Sequence, residues 1–212
     1  MQARRVGERA LLVECASTHE VEAAYATLRG AEELRASDVV PAARTVLLDG
    51  LADVEVALAF LDGLSVEASA VSAAAARVVE IPVQYDGPDL VEVAGQWGTD
   101  PAEVVRIHTT TDFVVAFCGF APGFGYCTGL PDGLTVRRRP EPRTRVPAGS
   151  VAVAGEFTSV YPTASPGGWQ LLGRTDTEVW RPDAEQPALL APGTRVRFVD
   201  VSSAPGEGRP GA

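Results

Sequence analysis

Apolar side chains in the first third of the chain change their spacing in a regular rhythm. Leu11, Leu12 and Val13 make a short apolar run that predicts a strand. Ser17 followed by Glu20 forms a capping box. Behind it, Val21, Ala24, Tyr25 and Leu28 fall at i, i+3, i+4 and i+7, so a helix is predicted up to Gly30. Val39–Val40 and Thr45–Leu48 predict strands on either side of the Pro41 turn. A second helix is predicted over Asp53–Leu61, with Val54, Leu58 and Leu61 on one face and Gly63 at its end. Arg77–Val83 supplies one more strand. The resulting order, β-α-β-β-α-β, is that of a ferredoxin-like unit.

The pattern then shortens. Leu90, Val93 and Trp97 share a helical face, and Gly98 can stop that helix. Asp100, Pro101 and Glu103 combine a cap, a first-turn proline and a first-turn acid, starting a helix through His108. Helical spacing disappears after Asp112. Phe113–Phe117, Ser150–Ala154, Val160–Tyr161, Gly168–Leu172, Val179–Trp180 and Thr194–Val201 read as strands divided by Gly/Pro turns, the signature of a β-barrel or sandwich. The fold class is therefore α+β, with an α/β domain over residues 1–80 and a β domain over 81–201. Residues 202–212, rich in Gly, Pro and small side chains, are expected to be a disordered tail.

Composition narrows the chemistry. The 212 residues are 46% hydrophobic and 22% charged, which suits a protein with real cores. No apolar run approaches the roughly 18–20 residues that span a bilayer, and Met1–Arg5 lacks a signal-peptide core, so no membrane association and a cytoplasmic location are expected. A net charge of −10 disfavours nucleic acid as a partner. All 18 basic residues are arginine. The missing lysine excludes a P-loop lysine, a Schiff base and a biotinyl or lipoyl arm on this chain. Cys15, Cys118 and Cys127 lack C-x-x-C spacing and read as packed thiols. With only His19 and His108 beside them, no metal site is expected.

The densest chemistry lies between Gly119 and Thr175. His108, just before the first barrel strand, is the first candidate for acid/base work, and its place also suits a packing histidine. Arg143 and Arg145 alternate around Thr144 between Pro142 and Pro147, so both point to one side of an extended backbone. Such a pair suits a carboxylate or phosphate, or equally an Asp or Glu of the same chain. Gln170 and Arg174 are an even distance apart and share a face if their strand is regular. They are expected to be secondary ligands. Arg137–Arg139 reads as a solvated loop. Gly119, Phe120, Pro122, Gly123, Tyr161, Ser165 and Trp169 are expected to shape the pocket, with Trp169 also reading as core. G-x-x-P-G-x-G at 119–125 lacks the lysine and helix start of a phosphate loop. No G-x-S-x-G elbow is present, which argues against a serine hydrolase.

At these residues the chain resembles a known family. R-V-P-A-G-S-V-A-V-A-G from Arg145 and Y-P-T-A-S-P-G-G-W-Q-L-L-G-R-T from Tyr161 are similar to the allophanate hydrolase subunit 1 family, whose members include the B component of 5-oxoprolinase. R-I-H-T-T-T-D-F, G-F-A-P-G-F-G-Y, P-R-T-R-V-P-A-G and the upstream I-P-V-Q-Y-D-G-P-D-L agree in the same order, so the resemblance covers roughly residues 8–200. It implies a cyclophilin-like β-barrel for the second domain. It also implies one component of an ATP-dependent 5-oxoprolinase that acts only with a C-type partner, similar to allophanate hydrolase subunit 2, and an A-type partner. ATP with magnesium would enter at the level of the complex, with none held tightly by this chain. A lactam is inert enough that phosphorylating its oxygen is a sensible activation, and the free carboxylate of this small anionic amide suits Arg143 or Arg145. Other members imply two rival roles, inhibition of a histidine kinase or a carboxyltransferase-type role on urea-derived amides. Phe157 and Ser159 stand where many members have Gln and Gly.

Overall fold

Helix α1 (Thr18–Arg29) starts where its capping box places it. The Ser17 hydroxyl accepts the Glu20 amide at 3.1 Å, and the Glu20 carboxylate accepts the Ala16 amide. Helix α2 (Val54–Asp62) starts at Asp53, whose carboxylate accepts the amides of Glu55 and Val56. In this computed structural model the chain divides into two compact units, residues 1–76 with 116–119 and residues 77–115 with 120–212, within which residues 1–64 and 78–202 are described. In the first unit, Val21, Ala24, Leu28, Ala57 and Leu61 of the helices pack with Leu11, Val13, Val46 and Leu48 of the strands into one core.

Those strands form an antiparallel sheet in the order β1 (Gln2–Arg5), β2 (Leu11–Glu14), β4 (Thr45–Asp49), β3 (Asp38–Pro41). The ferredoxin-like arrangement is reached by a route the spacing does not predict. The expected last strand, β5 (Val78–Val83), does not join this sheet. Its edge position beside β2 is held by β1, paired from Gln2–Glu14 to Arg5–Leu11. Only Ala3 of β1 packs against the core, so this edge strand carries no apolar alternation to read.

Strand β5 instead pairs in parallel with β13 (Arg195–Asp200), from Val78–Arg195 to Val83–Asp200. The strand expected to close the first domain thus opens the second, and the expected boundary at residue 80 falls inside it. The second sheet runs β12 (Gln170–Arg174), β9 (Ser150–Ala154), β10 (Phe157–Val160), β7 (Gly125–Thr128), β6 (Phe113–Cys118), β13, β5. Its two ends meet. Gln84 and Arg174 exchange two backbone hydrogen bonds of 2.9 Å, so the sheet is a nearly closed barrel. Closure depends on glycine: a Cβ added at Gly173 would lie 2.2 Å from the Gln84 oxygen, and one at Gly87 2.2 Å from the Leu171 oxygen. Pro82 is tolerated because β5 has a ladder neighbour on one side only.

Helix α4 (Pro101–Thr110) packs on β13, and α3 (Leu90–Trp97) packs on β12. Asp100 caps α4 by accepting the Glu103 amide at 2.9 Å, as its sequence predicts. Strand β9 is buried on both faces, which is why S-V-A-V-A reads as a continuous run of small residues. A separate ribbon pairs β8 (Arg143–Val146) with β11 (Ser165–Gly167). Val179–Trp180, expected as a strand, contributes a single bridge between Trp180 and Ala188. Of the expected tail, Ser202 is anchored, its hydroxyl accepting the Tyr85 amide at 2.7 Å. Residues 203–212 lie outside the described residues.

Candidate functional site

His108 sits in the last turn of α4 with none of its surface exposed. The Thr158 hydroxyl donates to the Ala152 oxygen at 3.2 Å, so it receives the His108 Nε2–H at 2.8 Å. Nδ1 is then bare and accepts the Tyr85 hydroxyl at 2.6 Å. Phe198 and Phe113 pack on the ring, with centroids 4.4 and 5.1 Å away. Burial lowers the imidazole pKa to about 3, and burial foremost raises that of Tyr85. Both nitrogens are satisfied and the ring is sealed from solvent. This geometry speaks against the proton-transfer role expected of His108 and makes it a buried pin between α4, the exit of β5 and β10.

The arginines divide differently from the expectation. Asp89, just ahead of α3 and only 4% exposed, does not cap its helix. One carboxylate oxygen accepts Arg143 Nη2 at 2.8 Å and Arg139 Nη1 at 3.1 Å, and the other accepts the Leu171 amide at 2.7 Å. Arg143 is therefore paired within the chain, the alternative its acidic composition left open. Arg145 is exposed and makes no ion pair among the described residues. Asp89 is hidden from sequence reasoning because an Asp before an apolar run reads first as a helix cap.

Gln170 and Arg174 do not share a face. The register of β12 against β9 shifts between Leu171 and Gly173, and the extra residue of this bulge reverses the alternation. Gln170 is buried, donating through Nε2 to the Arg137 oxygen at 3.2 Å while its Oε1 has no partner. Arg174 is exposed on the other side, bound to Asp86 at 2.9 Å and Gln84 at 2.7 Å. It borders an open depression of about 460 Å3 with Pro82, Thr175 and Val201.

The pocket-shaping group mostly converges on an aromatic cluster. Phe124 packs edge-on against Tyr126, Tyr161 and Trp169, with centroids 5.1, 5.2 and 5.3 Å away. Pro122 and Gly123 form the turn before it, closed by the Phe124 amide on the Ala121 oxygen at 3.0 Å, and Gly123 takes φ +83°. A Cβ there would meet Trp180 at 2.6 Å, so the turn requires glycine. Phe120 is held in the left-handed region, φ +66°, with 61% of its surface exposed over Phe124 and Tyr161. Strain at an exposed aromatic next to such a cluster is a mark of a functional surface. Gly119 lies half-buried just before it, and the Ser165 hydroxyl on β11 is buried without a partner.

Tyr161 joins these parts. Its hydroxyl lies over Gly167, the residue paired with Arg143 across the β8–β11 ribbon. Tyr161 also borders an open groove of about 690 Å3 lined by Gly149, Thr175, Trp180 and Arg181. Burial raises the pKa of Tyr126 and Tyr161, and the positive charge of Arg138 draws both back down. The centre of the cluster is buried core, with Phe124, Tyr161 and Trp169 almost wholly out of solvent, and only Phe120, Tyr126 and Phe157 reach its margin. Phe157 packs edge-on against Tyr126 at 5.7 Å. The three cysteines form no disulfide. Among the described residues no three His, Cys, Asp or Glu side chains converge on a metal position, and no helix is long and apolar enough to cross a membrane.

Comparison with known proteins fits this architecture. The B component of 5-oxoprolinase from Escherichia coli O157:H7 is 50% identical over 126 residues, covering 58% of each chain. That of Bacillus subtilis (strain 168) is 47% identical over 129 residues, covering 59% of this chain and 54% of the relative. The match thus spans little more than half the length of these curated relatives. The crystal structure of TTHA0988 superposes with a TM-score of 0.73 at 37% identity over 96% of this chain and 42% of that one. The uncharacterized protein PH0987 from Pyrococcus horikoshii gives 0.58 at 30% identity, over 95% and 98% of the two chains. Kluyveromyces lactis urea carboxylase shares the fold, with a TM-score of 0.62 at 18% identity over 94% of this chain and 21% of the enzyme. Residues 1–190 match the family described as carboxyltransferase domain, subdomain C and D, and the chain belongs to that family.

Proposed function

We propose that this chain is the B-type component of an ATP-dependent 5-oxoprolinase complex, which opens 5-oxoproline to glutamate in the cytoplasm. The observation that carries this reading is 44–50% identity to three proteins named as the B component of 5-oxoprolinase. The free carboxylate of a planar lactam would suit an exposed arginine such as Arg145, and the sequence carries no G-x-S-x-G elbow of its own. Activity is therefore assigned to an assembly with C-type and A-type partners, and the isolated chain is inactive.

ATP with magnesium is assigned to the level of the complex, on a partner, a placement consistent with the absence of lysine from this chain. Similarity to urea carboxylase lies in the fold and carries no argument about substrate.

The test is co-expression with the two partner proteins, followed by measurement of glutamate formation and 5-oxoproline-dependent ATP hydrolysis. Turnover by the assembly and none by the lone chain is the expected result. A fully assembled, well-folded complex that forms no glutamate would falsify the assignment.

A further inference from the structure

Among the described residues, Phe120 is the only aromatic side chain that is mostly exposed. An exposed apolar residue is ordinary by itself, but Phe120 is not placed like one. Its backbone takes φ +66°, a region costly for a residue with a bulky side chain. The ring stands edge-on against Phe124 at 5.2 Å and Tyr161 at 6.2 Å. That support is firm. Phe124 and Tyr161 are almost wholly buried, and the turn after Phe120 is closed by the Phe124 amide and seated on Trp180 through Gly123.

Tyr126 and Phe157 reach the margin of the same cluster, Ala121 packs against it, and Pro122 is exposed beside them. A protruding ring on a preorganised apolar margin has the form of an interface anchor, because docking desolvates the ring while freezing little motion. The occupant that fits is a protein. This fold fills 42% of the TTHA0988 chain at 37% identity, but 98% of PH0987. The same module therefore occurs alone and joined to more than its own length of further chain. Contacts between domains of one chain resemble those between separate proteins, so a stand-alone copy presents to a partner the face that a joined module covers.

We propose that the Phe120 loop is a docking surface for the C-type component, and that the phenyl ring enters an apolar pocket of that partner. The identity of the partner rests on the proposed function. A role in shaping a pocket of this chain alone leaves unexplained why a ring held at a costly φ faces solvent.

The experiment measures, by isothermal titration, the affinity of this chain for the purified C-type protein of the same organism, with 5-oxoproline turnover of the full assembly assayed separately. Phe120→Ala should weaken pairing by about tenfold or more. Val91→Ser, which removes an exposed apolar side chain from α3, should leave pairing unchanged. Phe120→Gly separates docking from folding and decides if Phe120→Ala folds poorly. Glycine accepts the positive φ freely, so this variant should melt no lower than the wild type and still pair weakly. Wild-type affinity in the Phe120 variants, a wild-type chain that does not pair with the C-type protein, or Phe120-dependent self-association in its place overturns the inference. Unchanged pairing with a raised KM for 5-oxoproline also overturns it, by making Phe120 a substrate contact. Pairing that depends on Phe120 in an assembly without turnover supports the docking surface and overturns the proposed reaction instead.

Discussion

The carboxylate of Asp89 meets the guanidinium of Arg143 at 2.8 Å, and through its second oxygen holds the Leu171 amide of β12. One side chain at the start of α3 therefore ties the barrel wall to the arginine face. Truncating one partner of a buried ion pair is costly because the other is left uncompensated. Asp89→Ala should lower stability by roughly 3 kcal/mol, at the low end of that range because both arginines retain some solvent. Asp89→Asn, which keeps an acceptor for the Leu171 amide, should lose less. Urea midpoints of the two variants check this, and a wild-type midpoint for Asp89→Ala would show that the hub carries no stability.

His108 sets a pH dependence whose sign follows from its burial. Its folded pKa is depressed to about 3, whereas the unfolded chain protonates near 6.5. Stability from this group is fully present above pH 6.5. It falls with pH below that, by about 1.4 kcal/mol per unit, because only the unfolded state takes up the proton. Between pH 7 and 5 the wild type should lose about 2 kcal/mol more than His108→Gln. Equal pH slopes would show that the imidazole is reached by protons in the folded state. In the assembled complex, His108→Gln should retain kcat at temperatures where it stays folded.

Much of this architecture is legible where the signal is local. The caps at Ser17, Asp53 and Asp100 define three helix starts because a single side chain satisfies a nearby amide. Sheet membership is not local. Val78–Val83 reads correctly as a strand, yet its partner lies more than a hundred residues away, and no spacing within the strand names β13. The site fails for a related reason. Alternation correctly makes Arg143–Arg145 extended but says nothing of Asp89, which is distant in sequence. The bulge at Leu171–Gly173 inverts the faces of Gln170 and Arg174 without leaving a mark that periodicity can detect.

Barrel closure gives a steric prediction with an internal control. Gly173→Ala places a methyl 2.2 Å from the Gln84 oxygen, a backbone atom that cannot move without opening the seam. It should cost at least about 3 kcal/mol, in the range of severe overpacking. Gly95→Ala, inside α3 with nothing within 4 Å, should stabilise by about 0.5–1 kcal/mol through helix propensity. Thermal unfolding of the two variants should therefore move in opposite directions. A tolerated Gly173→Ala would show that the Gln84–Arg174 seam is loose.

Ser159 provides the reverse case, a substitution expected to help. It lies on β10 next to Thr158, which turns the other way to hold His108, so both faces of the strand are buried here. Thr158 spends its hydroxyl on His108 and Ala152, whereas the buried Ser159 hydroxyl has no partner. A buried hydroxyl without a hydrogen bond carries a desolvation penalty of about 1–3 kcal/mol. Ser159→Ala removes the penalty, keeps the Cβ and adds no volume, so it should stabilise by about 1 kcal/mol. Ser159→Gly removes the same hydroxyl but frees the unfolded backbone, and should be close to neutral. Urea unfolding of both variants separates these effects. Destabilisation by Ser159→Ala would mean that the hydroxyl is bonded.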